Sequence, residues 1–416
     1  MRRRTWALGC LLTALLPAAP AAASGCAART TAIRYGRWFT SRPPMPPRPA
    51  AHQQVHPNAV TLESVALDPA DGRIVLASDG LRLYRSDDGG CRWTQVYALA
   101  DLPGLVPDGL TGSIEAVDVA RVGGRTRVIL AVHVRGDHAA RTGVRTVIVR
   151  SDDGYTGWTV VDDPLTFLGA SVVGWRPMLR SVGNVVYAAF PWLTTGLPAY
   201  ARSVDGGRTW ALRSRTGLDG PPYLESLWVN PWNPDELWEA NWGANGTQDP
   251  VPPLRRSTDG GATWTYVDPW RWYPGGEASG SNFDIAWPRR GGPARILALG
   301  TRWGETDEEL NLVAWSGDGG ASFHLVLLPR RGLDFAAPTM THLGNGDVVI
   351  ILSTKDVFLL RHSGRPPRLG DWRVLRKIPL PPACGVMERH CARAPVAGQA
   401  VVSFPTTVQA QFLVVR

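Results

Sequence analysis

The chain has 416 residues, of which 44% are hydrophobic and 19% charged, with a formal net charge of +8. The arginines at positions 2–4 supply three of these charges, so the rest of the chain carries an excess of about +5. Because this excess is small and no run of Lys and Arg stands out, we expect no nucleic-acid binding. Length alone would permit two or three domains.

The first 23 residues predict a secretory signal peptide. Arg2, Arg3 and Arg4 precede an apolar run over 6–16, and residues 21–23 are the alanines of a small-residue cleavage pattern. The apolar run is too short to span a bilayer, and no later stretch approaches about 18 apolar residues. We therefore expect an exported, soluble chain that is extracellular, periplasmic or at the cell surface.

Four cysteines follow the signal peptide. Cys384 and Cys391 bracket the short loop CGVMERHC, and in an oxidising compartment we expect them to form a disulfide. Cys26 ends an Ala-Ser-Gly-Cys stretch that resembles a bacterial lipobox. It either carries a lipid anchor, the only membrane attachment expected, or pairs with Cys91. Neither pair has CxxC spacing, so no metal site is predicted.

A ten-residue motif, YRSDDGGCRW, begins at Tyr84 and recurs along the chain. Its other copies are VRSDDGYTGW, ARSVDGGRTW, RRSTDGGATW and AWSGDGGASF, starting at positions 149, 201, 255 and 314. All follow Ser-x-Asp-x-Gly-x-x-Trp, except that Tyr155 replaces the Gly and Phe323 replaces the Trp. Such regular recurrence indicates a repeat architecture rather than separate domains.

Short β-branched runs surround each copy, as at 64–67, 73–77 and 264–267. Punctuation by Gly, Pro and Asp, with no helical period, is typical of strands. Four strands per repeat is the pattern of a propeller blade.

The motif resembles the Asp-box, or BNR, repeat of sialidases, sortilin-type receptors, xyloglucanases and photosystem II assembly factors. The resemblance implies an all-β, single β-propeller of four-stranded antiparallel blades, with each box as the hairpin between the third and fourth strands. In such a turn Asp accepts N–H groups, Gly takes a positive φ and Trp packs between blades. One carboxylate per turn cannot bind calcium. We therefore predict structural roles for Ser86, Asp88, Gly90, Trp93, Ser151, Asp153, Trp158, Ser203, Asp205, Gly207, Trp210, Ser257, Asp259, Gly261, Trp264, Ser316, Asp318, Gly320 and Phe323.

Five boxes predict five blades, and a sixth without a box follows at 348–375. The C-terminus adds two strands, at 400–404 and 411–415, which the segment 31–41 would complete. We expect seven blades closed by both termini, with six as the alternative. The predicted division is a signal peptide over 1–23, a closing strand and Pro-rich connection over 24–57, and a propeller over 58–416. We expect a monomer.

The connections of a four-stranded meander alternate between the two faces of the ring. Those on the side of the boxes are short, whereas those on the opposite side are long, as at 133–145, 240–255 and 301–310. Long loops on a rigid scaffold usually carry function. We call the opposite side the long-loop face and predict that it binds the ligand.

An acid recurs near the start of the innermost strand, with one cation in the series. In phase with the blades, these side chains would ring the mouth of the central channel and meet a ligand. The alternative is that each acid hydrogen-bonds the backbone of a neighbouring blade. The candidates are Glu63, Glu115, Arg176, Glu225, Asp284 and Asp334.

Tryptophans are concentrated in the loops of the fourth and fifth repeats. If exposed, their rings would suit sugar rings or a protein hot spot. The alternative is that they are packed inward. These residues are Trp242, Trp270, Trp272 and Trp303.

No catalytic motif is complete. A sialidase needs an arginine triad and a Tyr/Glu pair, for which Arg271, Arg302, Tyr273 and Glu277 are the only candidates. A xyloglucanase-like mechanism needs two carboxylates about 5–9.5 Å apart, which Glu225 and Asp284 could supply. We therefore predict a recognition module for a glycan or protein without a cofactor, with a glycoside hydrolase as the alternative.

Overall fold

The structure is a computed structural model that describes residues 38–40, 64–68, 71, 73–88, 90, 92–106, 110–135, 145–161, 177–190, 199–213, 223–242, 254–271, 278–302, 310–327, 339–342, 348–351, 356–360, 372–377, 392–396, 399–403 and 411–415. These residues are almost all in strands or turns, with one 3₁₀ turn at Leu99–Asp101. The predicted all-β class is confirmed.

The strands form four-stranded sheets that we number in chain order. Sheet 1 contains β2 (Ser64–Leu67), β3 (Val75–Ser78), β4 (Arg82–Ser86) and β5 (Thr94–Ala98). Sheet 2 contains β6 (Thr111–Val122), β7 (Arg125–Arg135), β8 (Arg145–Ser151) and β9 (Thr159–Val161). Sheet 3 contains β10 (Met178–Val182), β11 (Val185–Phe190), β12 (Ala199–Ser203) and β13 (Ala211–Leu212). Sheet 4 contains β14 (Tyr223–Asn230), β15 (Asn233–Trp242), β16 (Leu254–Ser257) and β17 (Thr265–Val267).

Sheet 5 contains β18 (Ala278–Ala286), β19 (Arg295–Arg302), β20 (Leu310–Ser316) and β21 (His324–Leu327). Sheet 6 contains β22 (Thr339–His342), β23 (Val348–Ile351), β24 (Asp356–Leu360) and β25 (Trp372–Lys377). Sheet 7 contains β26 (Ala392–Val396), β27 (Gln399–Ser403) and β28 (Gln411–Val415), and β1 (Trp38–Thr40).

Sheets 1–6 are antiparallel meanders in which the strands pair in chain order. Sheet 7 has the order β1-β28-β27-β26, because the N-terminal strand pairs with the last one through Trp38 and Leu413. The sequence predicts two C-terminal strands, whereas the structure has three.

The sheets follow one another around a ring. The innermost strands β2, β6, β10 and β14 contact each other in turn, β15 contacts β18, and β18, β22 and β26 continue the series. β26 also contacts β2. This is the circular arrangement of a β-propeller, as the repeats predict.

The core lies between the sheets, so both faces of a strand are buried. In β7, residues 128–132 form an apolar run with no accessible surface. Val128 and Leu130 pack toward sheet 1, and Ile129 and Ala131 toward sheet 3. Removal of both faces from water is the main source of stability in such a stack.

Candidate functional site

All five Asp-boxes form the same hydrogen-bonded turn. In sheet 3, the hydroxyl of Ser203 donates to Asp205 at 2.7 Å and accepts the N–H of Gly207 at 2.7 Å. Asp205 also accepts the backbone N–H groups of Arg208 and Thr209, each at 2.9 Å. The serine–aspartate bond recurs in the other four boxes at 2.7–2.8 Å. The carboxylates are therefore engaged within their turns, as the sequence predicts.

In four of the boxes the same contacts lower the pKa of the carboxylate. In Asp259, partial burial would raise the pKa, but hydrogen bonds from Thr263, Ser257 and the turn backbone lower it to about 2. Hydrogen bonds from Thr209 likewise lower the pKa of Asp205 against the effect of burial. A group with so low a pKa is unsuited to proton transfer near neutral pH.

The second box departs from the motif at a strained position. Tyr155 replaces Gly and has φ +98°, a conformation that L-residues rarely adopt. Its side chain is buried, and the guanidinium of Arg85 lies 4.1 Å from its ring centroid. This cation–π contact joins sheet 1 to sheet 2 and offsets part of the strain.

Arginine precedes the box serine in four of the five repeats, a pattern that the sequence analysis did not use. Arg150 donates to the carbonyl oxygen of Gly206 in sheet 3 at 2.8 Å. Arg202 forms an ion pair with Asp235 of sheet 4. In the fourth and fifth repeats, the residue before the box serine is Arg256 and Trp315, respectively. We call Arg85, Arg150, Arg202 and Arg256 the pre-box arginines.

Further polar contacts join the sheets on the box side. The fully buried carboxylate of Asp68 in sheet 1 forms an ion pair with Arg121 of sheet 2 at 2.8 Å. Glu236 of sheet 4 accepts from Arg256 at 2.9 Å and from Trp287 of sheet 5 at 3.1 Å. The box side of sheets 1–5 is thus rich in contacts that hold the sheets together.

Register identifies equivalent positions on the innermost strands. Glu115 and Glu225 occupy one such position, and both lie at a β-bulge. Asp284 lies three positions further along its strand, about 10 Å away. Asp284 therefore does not lie at the level of Glu115 and Glu225. In each sheet the box serine aligns, through the second strand, with one residue of the innermost strand, and Asp284 lies one residue before that position. The residues at the same position in sheets 1–4 are Ala66, Asp118, Arg180 and Trp228.

Residues at this level contact the next sheet around the ring. Burial lowers the pKa of Arg180, and Asp118 of sheet 2 acts in the opposite direction. Arg180 donates to the carbonyl oxygen of Leu227 in sheet 4 at 2.8 Å. The indole N–H of Trp228 in sheet 4 donates to Asp284 of sheet 5 at 3.3 Å. Asp284 therefore bonds the neighbouring sheet, but through a tryptophan side chain rather than through the backbone.

Trp270 is not an exposed aromatic plane, in contrast to the ligand-binding prediction. Only 7% of its surface is accessible, and it belongs to the core cluster of sheets 4 and 5 with Trp287 and Phe283. Its backbone N–H donates to the side chain of Asp268 at 2.8 Å, within the turn after β17. The turn directs the ring inward, so its position in a loop did not imply exposure.

Several predicted site residues lie outside what the structure describes. For Glu225, Trp242 and Arg302 the structure gives the strand but not the side chain. The other candidate site residues and the four cysteines lie outside the described residues, so they remain predictions. They are Glu63, Arg176, Trp272, Tyr273, Glu277, Trp303, Asp334, Cys26, Cys91, Cys384 and Cys391.

One part of the long-loop face is described, the connection from β5 to β6. It encloses an open, largely apolar cavity of about 320 Å³, at the small end of the roughly 300–1,000 Å³ range of ligand pockets. We call this cavity the β5–β6 groove. Its apolar walls are Leu81, Leu99, Leu102, Pro103, Val106 and Leu110.

Hydrogen bonds fix the shape of the β5–β6 groove. Asp79 accepts the N–H groups of Leu81 and Arg82 at 2.9 and 2.7 Å, which sets one wall. Leu99 donates to Leu81 at 3.0 Å, and Leu105 donates to Leu102 at 3.1 Å, which sets the other. A preformed cavity loses little conformational entropy when it binds a ligand.

No protein-family model matches the chain, and no curated protein matches it. Among solved structures, YCF48 bound to D1 peptide is similar with a TM-score of 0.51 and 13% identity, over 92% of this chain and 99% of that chain. YCF48 from Cyanidioschyzon merolae has a TM-score of 0.50 and 12% identity, over 90% of this chain and 98% of that chain. The Hadza microbial sialidase Hz136 is a looser likeness, with a TM-score of 0.42 and 18% identity over 71% of this chain and 64% of that chain.

At such low identity these likenesses show the fold alone. Together with the five Asp-box turns, they show that the chain has a β-propeller fold with Asp-box hairpins. Within the described ranges, no helix is long and apolar enough to cross a membrane. The same ranges hold no group of three or more His, Cys, Asp and Glu side chains that could bind a metal ion.

Proposed function

We propose that the protein is an exported recognition module that binds a segment of another protein on its long-loop face. The observation that carries the proposal is the β5–β6 groove, a preformed apolar cavity on that face. A groove of this size accommodates one or two large apolar side chains, which is how an anchor residue docks in an interface hot spot.

The contrast between the two faces supports this assignment. On the box side, carboxylates and arginines are engaged in turns and in contacts between sheets, as Asp205 and Arg150 illustrate. On the long-loop face, Leu102 and Val106 are only partly buried and line a cavity. Partly exposed apolar walls around a cavity gain free energy when a partner covers them.

The solved structures also favour a protein ligand over a glycan. YCF48, which has the same fold over almost the full length of both chains, is bound to a D1 peptide. The aromatic residues on which glycan binding depends are Trp242, Trp272 and Trp303, whose side chains the structure does not describe. Export is supported by the arginines and apolar run at the N-terminus.

Selection from a displayed library of random peptides tests the proposal. We expect the purified chain without its first 23 residues to select peptides with a large apolar residue, which then bind in solution in the micromolar range, about −8 kcal/mol. A parallel screen with sialosides and β-glucans tests the hydrolase alternative. Turnover that is lost on Glu225→Gln, together with failure to select any peptide, would contradict the proposal.

A further inference from the structure

The fifth box differs from the others in the residue before its serine. Trp315 stands where the four preceding sheets have a pre-box arginine. Beside it, on the box side of sheet 5, lies an open cavity of about 620 Å³. Three basic side chains line this cavity: Arg289, Arg295 and His324. We call it the sheet 5 cavity.

Arg295 is a partly buried cation without a counterion among the described residues. Burial lowers its pKa, and the nearby Arg289 acts in the same direction. Among the described residues, the side chain of Arg295 makes no hydrogen bond or ion pair. By contrast, most other described arginines of low exposure have carboxylate partners, as do Arg121, Arg127, Arg150, Arg202, Arg255 and Arg256. Arg180 is the exception and donates to the backbone carbonyl oxygens of Leu179 and Leu227.

A cation removed from water normally has a partner, because its desolvation is otherwise uncompensated. We propose that the sheet 5 cavity binds a tetrahedral oxyanion, a phosphate or sulfate group, between the guanidinium groups of Arg289 and Arg295. Guanidinium presents N–H groups in a planar fork that matches such oxygens. The ligand therefore supplies the negative charge that carboxylates supply in the other sheets.

The cavity floor and its one acid are consistent with this ligand. Trp315 is 4% exposed, and a Cβ at Gly317 would lie 2.4 Å from its ring, so the glycine lets the indole form an apolar floor. Apolar surroundings strengthen charge–charge attraction. Asp318 also lines the cavity, but its oxygens already accept from Ser316 at 2.7 Å and from the backbone and hydroxyl of Ser322 at 3.1 and 2.5 Å.

Calorimetric titration of the full chain with sodium sulfate and sodium phosphate, at constant ionic strength set with chloride, tests the site. We expect saturable binding, with a Kd of about 1–10 mM. Arg295→Gln should weaken it by about tenfold or more, the loss expected from one charge-assisted hydrogen bond. Arg290→Gln is the matched control, because Arg290 is exposed, carries the same charge and does not line the cavity.

Stability separates a binding role from a structural one. In chloride alone, Arg295→Gln should melt at or above the temperature of the unmodified chain, because it removes a desolvated cation. Sulfate should raise the melting temperature of the unmodified chain and of Arg290→Gln, and should raise that of Arg295→Gln much less. A sulfated oligosaccharide that binds more tightly than sulfate would identify the carrier as a glycan, and equal affinity would identify a free ion. Absence of saturable binding, or equal weakening by Arg290→Gln, would overturn the proposal.

Discussion

The buried ion pair between Glu239 and Arg255 allows a sharp test of how the sheets are stabilised. The two residues lie directly opposite each other on β15 and β16, and their side chains are 0% and 2% exposed. Burial lowers the pKa of Arg255, and Glu239 acts in the opposite direction. Glu239→Gln removes the negative charge and leaves the guanidinium buried without it. We expect a loss of about 3–5 kcal/mol in the free energy of unfolding.

Guanidinium chloride denaturation measures this loss, and two further variants define its origin. Asp71→Asn breaks the pair of Asp71 with Arg73, whose side chains are 30% and 63% exposed, and should cost at most about 1 kcal/mol. Replacing both buried partners, Glu239→Leu with Arg255→Met, should recover most of the stability because no charge remains buried. A loss for Glu239→Gln no larger than that for Asp71→Asn would refute the reasoning.

Three further predictions concern the boxes and the core. Because the folded-state pKa of Asp259 is lowered to about 2 from 3.8, its contribution to stability is present above pH 4 and is lost as the pH falls toward 2. Denaturation series at pH 2–7 should show a shallower fall for Asp259→Asn. Trp270→Ala should lower the free energy of unfolding by about 3–5 kcal/mol and leave peptide affinity unchanged; weaker peptide binding with unchanged stability would show that Trp270 faces the ligand. Arg150→Met should cost about 1–3 kcal/mol, because the carbonyl oxygen of Gly206 loses a charged donor; unchanged thermal stability would show that the pre-box arginines do not brace the sheets.

The fold could be predicted because the Asp-box uses local chemistry. Asp205, Ser203 and Gly207 lie within five residues, so the sequence alone specifies their turn. The sequence also shows that an arginine recurs before the box serine, but it does not show what this arginine does. Arg150 donates to Gly206, which is 56 positions away, and a sequence does not show which blade such a side chain reaches.

Bulges and burial limited the prediction of the site. Glu225 and Asp284 look equivalent because each stands three residues before a tryptophan, but the register places Asp284 three positions further along its strand. The third C-terminal strand was missed because it contains Pro395, and proline argues against a strand interior. Trp270 was assigned to the ligand because it follows a strand, whereas its burial depends on packing against sheet 5.

Affinity for library-selected peptides, measured on two matched variants, tests the central claim most directly. Leu102→Asp places a charge in the β5–β6 groove, and Val204→Asp places the same charge on the third box, where Val204 is 60% exposed. Both variants should remain folded, because Val204 is exposed and Leu102 is only partly buried at the edge of the core cluster. The account predicts that Leu102→Asp weakens binding by about tenfold or more, about 1.4 kcal/mol, and that Val204→Asp leaves it unchanged. Loss of binding on Val204→Asp with normal binding by Leu102→Asp would contradict the assignment of the binding face.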